Sequence, residues 1–126
     1  MPDNILISGD SKGLIKIWKI ETGECLKTIT AHTSIIEKIE LISNERFVTC
    51  SHDSTVKLFD LKTYECIRTF IGHENEVWCI EKLFNDKIVS CSKDKTIRIW
   101  DLNSGECFEN TKRTCKWSFI YNCNFR

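Results

Sequence analysis

The sequence predicts an all-β chain built from about three copies of one antiparallel unit. Two observations carry that expectation. Residues of the same type recur every 41 positions, and each period is filled by short apolar strands separated by turn residues. Cys25, Cys66 and Cys107 are spaced this way, as are Cys50 and Cys91, His32 and His73, and the aromatics Trp18, Phe59 and Trp100. Laying 32–72 on 73–113 gives 13 identities, whereas 1–31 on 42–72 gives five (Lys16, Thr22, Glu24, Cys25 and Thr28), so the first copy is worn but in register.

Each element can be justified in order. In the first copy Asn4–Ser8, Leu14–Trp18 and Glu24–Ile29 read as three strands, with no innermost strand before them. In the second, Ile35–Ile42 is the longest apolar stretch. Its Ile36, Ile39 and Ile42 would also suit a helix, but strands of similar length on both sides favour a strand. Arg46–Ser51 and Lys87–Ser92 are mostly apolar runs ending in small residues. His52-Asp53-Ser54 and Lys93-Asp94-Lys95 are turns. Val56–Phe59 and Ile97–Trp100 alternate apolar and basic residues, which is the period-two pattern of a half-buried strand. Glu65–Phe70 is the fourth strand of the second copy, with Cys66 or Ile67 inward, and Ser104-Gly105 is a further turn. Four short strands in about 41 residues make one blade of a β-propeller. The expected architecture is therefore a partial β-propeller of about three four-stranded blades, the first incomplete, forming an open arc. Its repeats run over about 1–31, 32–72 and 73–112, with a divergent tail at 113–126.

Composition narrows the function classes. The 126 residues suffice for one domain at most. Basic and acidic residues both number 18, so the cationic surface of a nucleic-acid binder is missing. No apolar run approaches the ~18 residues of a membrane-spanning helix, and the opening Met1-Pro2-Asp3-Asn4 is not a secretory signal. The eight cysteines include no C-x-x-C pair. Five of them occupy two repeat positions and read as small apolar core residues, and a reducing compartment would leave all eight as free thiols. The tail departs from the period. Arg113-Thr114 stands where a fourth copy needs Gly-His, and 109–126 carries a charge of +3. Either Trp117–Tyr121 is a strand sealing one flank, or the tail is a foreign ending.

The Gly72-His73 opening, the Ser92-Lys93-Asp94 turn and the closing Trp100-Asp101 resemble the WD-repeat family of β-propellers, over about residues 4–108. The resemblance implies a hydrogen-bonded tetrad of His73, Ser92, Asp94 and Trp100. Indole donates, hydroxyl and neutral imidazole donate and accept, and carboxylate accepts, so a series Trp→Ser→His→Asp satisfies each group. The second copy has His32, Ser51 and Asp53, but Phe59 has no N–H to give. The first retains only Trp18, so no tetrad is expected there. A rival reading of His73, Ser92 and Asp94 as a catalytic triad is disfavoured, because the set recurs in a second copy and no Gly-x-Ser-x-Gly elbow surrounds Ser92. A metal site from His32, His52 and Asp53 lacks ligand spacing.

The same resemblance implies a non-enzymatic scaffold for protein–protein interaction, with no cofactor and no metal. Its partner would be a protein or peptide, not nucleic acid or membrane, and its place the cytoplasm, with the nucleus the open alternative. The binding face would hold Ile35, Glu37, His52, Glu76, Trp78 and Lys93, with Ser11 the counterpart in the first copy. Phosphopeptide reading, the mode of F-box relatives, needs an arginine cluster that this face lacks. The chain would alternatively be a truncated fragment of a larger WD-repeat protein, such as a ubiquitin-ligase substrate receptor, without independent function. A bare arc also implies a possible homo-oligomer completing a ring.

Overall fold

The computed structural model describes residues 4–111, which form eleven strands in three antiparallel sheets and no helix. The first sheet has three strands in the order β1 (Ile5–Gly9), β2 (Leu14–Lys19), β3 (Cys25–Thr30). The second runs β4 (Ile36–Leu41), β5 (Arg46–Ser51), β6 (Val56–Asp60), β7 (Cys66–Phe70). The third repeats it with β8 (Val77–Lys82), β9 (Lys87–Ser92), β10 (Ile97–Asp101), β11 (Cys107–Thr111). These are three blades of an unclosed propeller, the first lacking the strand that β4 and β8 supply to the others. Of the Ile35–Ile42 segment, Ile36–Leu41 is a strand, its pairing with β5 shifted by a bulge between Ile36 and Lys38, and the same irregularity lies between Val77 and Cys79. The tail 113–126, including Trp117–Tyr121, Cys115 and Cys123, lies outside the described residues.

Alternation along the strands sends apolar side chains to both faces of each blade, and the core lies between blades. Ile15 and Ile17 of the first blade meet Phe47 and Phe59 of the second, all four at most 1% exposed. Val56 and Leu58 of the second meet Ile88 and Trp100 of the third in the same way. Phe47 and Phe59 stack at 5.1 Å, and Phe70 tilts against Trp100 at 5.5 Å. Burying side chains of this size contributes about 1.5–3 kcal/mol each.

The turns repeat in detail. Gly13, Ser54 and Lys95 occupy one position and share a left-handed backbone, with φ of 85°, 77° and 69°. The backbone nitrogen of each donates to the carbonyl three residues back, at Asp10, Ser51 and Ser92. Asp10 supports its turn alone, accepting from the N–H groups of Lys12 and Leu14 at 2.9 Å each.

The cysteines divide differently from the sequence expectation. Cys50 is buried, and burial pushes its thiol well above the ordinary range. Cys25, Cys66 and Cys107 are exposed rather than in the core, because they open the outermost strand of each blade. Cys79 stands opposite Cys91 across β8 and β9, and the two are disulfide-bonded, so the expectation of eight free thiols fails at this pair. Directly opposed strand residues lie about 4.5–5.5 Å apart, within the reach of a disulfide.

Candidate functional site

The tetrad position of the third blade holds Trp100, His73 and Asp94 around a hydroxyl, but that hydroxyl belongs to Ser90 and not to Ser92. The Trp100 indole donates to Ser90 Oγ at 2.8 Å, Ser90 Oγ lies 2.7 Å from His73 Nε2, and His73 Nδ1 lies 2.9 Å from Asp94 Oδ2. Thr96 donates to Asp94 Oδ1 at 2.6 Å and sits 3.0 Å from His73 Nδ1. The register explains the correction. Trp100 pairs with Ile88, so its diagonal neighbour on the same face is Ser90, while Ser92 lies beyond at the turn. The Ser92 hydroxyl donates to the Asn75 carbonyl and accepts from the Asp94 N–H, while the two ring nitrogens of His73 are engaged by Ser90, Asp94 and Thr96.

The second blade follows suit. His32 Nε2 lies 2.7 Å from Thr49 Oγ1 and its Nδ1 2.8 Å from Asp53 Oδ2, while Ser51 donates to the Ser34 carbonyl. Phe59 supplies no donor and stacks on Phe47 instead. In the first blade Trp18 donates to Ser8 Oγ at 2.9 Å, a link the sequence reading missed. A signal was present, since Ser8, Thr49 and Ser90 are all hydroxyls at the 41-residue spacing.

Burial lowers the pKa of both His32 and His73, although Asp53 and Asp94 pull the other way. Burial alone would raise the Asp94 carboxyl. Hydrogen bonds from Thr96, Glu74 N–H and His73 outweigh it and hold the group well below the usual carboxylate range. The imidazoles are therefore neutral, with the Nδ1 proton given to carboxylate. Below the ordinary histidine value of 6.5 the unfolded chain takes up protons that the native histidines resist. Stability is thus full above that value and declines as pH falls below it. The denaturant midpoint should drop between about pH 7 and pH 5, and the drop should shrink in a His32→Gln/His73→Gln variant. A flat profile over that window would show that the imidazoles are not held neutral by burial.

The residues assigned to the binding face sit together on the turn side of the second and third blades. His52 Nε2 lies 2.8 Å from Glu37 Oε2, and its Nδ1 lies 3.4 Å from Glu76 Oε1. Glu76 also accepts from the Trp78 indole and from Lys93, each at 3.4 Å. The Trp78 hydrogen bond is the largest influence on Glu76 and lowers its pKa, with His52 and Lys93 adding to it. Exposed Ile35 borders the group, its carbonyl accepting from His52 N–H at 2.9 Å. Ser11 is exposed in the equivalent turn of the first blade. Among the described residues no cluster of His, Cys, Asp and Glu could hold a metal ion, and no helix is long and apolar enough to cross a membrane.

Three sheets in this order, with a Trp–hydroxyl–His–Asp series at the turn side, define a WD-type propeller segment. The WD domain, G-beta repeat family matches residues 23–60 and 64–101, and the chain belongs to it. The WD40 β-propeller domain of Doa1 is similar at 32% identity and a TM-score of 0.79, over 86% of this chain and 36% of that one. A computationally designed protein, Ika8, is similar at 26% identity and a TM-score of 0.81, over 90% of this chain and 35% of the other. The chain thus spans about a third of either structure. No curated protein sequence matches it. The family's fold supports protein-interaction scaffolds in general.

Proposed function

We propose that the chain is a non-enzymatic platform that binds a protein or peptide on the face formed by Ile35, Glu37, His52, Glu76, Trp78 and Lys93. The observation that carries this reading is the bridge of His52 between Glu37 of the second blade and Glu76 of the third. It makes one continuous polar patch with Trp78 at its side, rather than six separate surface residues. Two carboxylates against one lysine favour a segment offering a Lys or Arg to Glu37 and Glu76, with an apolar side chain laid on Trp78 and Ile35. Aromatic residues of this kind dominate binding hot spots. Selection of peptides from a displayed library, followed by fluorescence anisotropy, tests the reading. Trp78→Ala should weaken the selected peptides by roughly 30-fold, the effect of a hot spot of about 2 kcal/mol. Unchanged affinity in that variant would remove this face as the platform.

A second reading is a fragment of a larger WD-repeat protein, such as a ubiquitin-ligase substrate receptor, without activity of its own. The one-third coverage of the two similar structures supports it. So does the outer face of the first blade, where Leu6 is 52% exposed among the described residues.

A further inference from the structure

The two contacts between blades are the same contact made twice, and each end of the arc holds one unused half of it. Ile15 and Ile17 meet Phe47 and Phe59, and the residues 41 positions on, Val56 and Leu58, meet Ile88 and Trp100. One period further the donor half is Ile97 and Ile99 on the third blade, which are half-buried where their counterparts are closed off. One period back the receiving half is Leu6 and Trp18 on the first blade. Leu6 is 52% exposed, where its counterparts Phe47 and Ile88 are fully buried. Trp18 is half-buried, where Phe59 and Trp100 are at most 2% exposed. Among the described residues no further sheet packs on either half.

We propose that a second copy of this chain covers them, the Ile97/Ile99 face of each copy docking on the Leu6/Trp18 face of the other. The two halves differ, so the contact is head-to-tail and must either close or propagate. Two copies give six blades, within the range of about four to eight in which propellers close, whereas three give nine. The closed assembly is therefore a dimer. Its two new contacts restate the packing that already joins the blades within a chain.

Light scattering behind a sizing column reads the result on the full chain. The expected mass is twice the 14.7 kDa of one copy. Leu6→Arg and Ile99→Arg, which alter opposite ends, should each give a monomer. An equimolar mixture of the two should recover part of the dimer, because one contact in the mixed pair is intact in both halves. That recovery also shows that both variants are folded. A monomeric wild-type chain overturns the proposal, as does a ladder of higher masses or a dimer that survives either substitution.

Discussion

Replacing Trp100 by alanine is expected to destabilise the chain by roughly 3–5 kcal/mol, the range for removing a buried aromatic from a packed core. Trp100 is 2% exposed, lies against Phe70 at 5.5 Å, and presents its ring to the His73 edge at 6.2 Å and to the Arg98 guanidinium at 5.9 Å. Its loss opens a void between the second and third blades and leaves the buried Ser90 hydroxyl without its indole donor. Trp100→Phe separates the two effects. It keeps most of the volume but removes the N–H, and should cost roughly 1–3 kcal/mol through the unsatisfied polar group. Urea denaturation of both variants measures the difference. A phenylalanine variant within a few tenths of the wild type would show that the indole–Ser90 bond adds nothing to stability.

The second large effect is expected at Gly13, where alanine should cost upwards of about 3 kcal/mol. The residue has φ of 85°, which an L-side chain tolerates poorly. A Cβ there would also lie 2.0 Å from the His32 carbonyl oxygen and 2.9 Å from that of Ser34, and both obstacles are backbone. The Gly13 carbonyl accepts from the N–H groups of Ala31 and His32, so the turn of the first blade is laid directly on the segment entering the second. Ser54 and Lys95 accept the same left-handed backbone with side chains, and for that reason Ser54→Gly should change stability little or improve it. The contrast between Gly13→Ala and Ser54→Gly in one denaturation series tests the argument. A cost under about 1 kcal/mol at Gly13 would mean that the turn and the following segment separate easily.

The repeat made most of the fold legible. A period of 41 with alternating strands was enough to place three sheets and the missing strand of the first. The sequence points to the wrong tetrad hydroxyl because the Ser51/Ser92 identity is the more visible one, whereas Thr49/Ser90 is conservative rather than identical. Only strand register tells which hydroxyl lies diagonal to Trp100. The burial of cysteines is hidden from the sequence for a related reason. Repetition shows that a position matters to the blade, but not which side of an edge strand it takes, and Cys25, Cys66 and Cys107 take the outer side. The Cys79–Cys91 bridge had no repeat signal, since Lys38 holds the position equivalent to Cys79. The polar patch around His52 was assembled from equivalent turn positions, whereas the bridging of two carboxylates by one imidazole depends on how two blades are set against each other.

The doubled contact between blades also has an energetic consequence. A chain whose units touch only their neighbours behaves as a one-dimensional stack, in which stability is a sum of unit and nearest-neighbour terms. Within a single copy, among the described residues, only the middle blade owns two such couplings. In a copy released from its partner, opening should therefore begin at the ends and travel inward, and a single lost coupling can release a whole terminal unit while the rest stays folded.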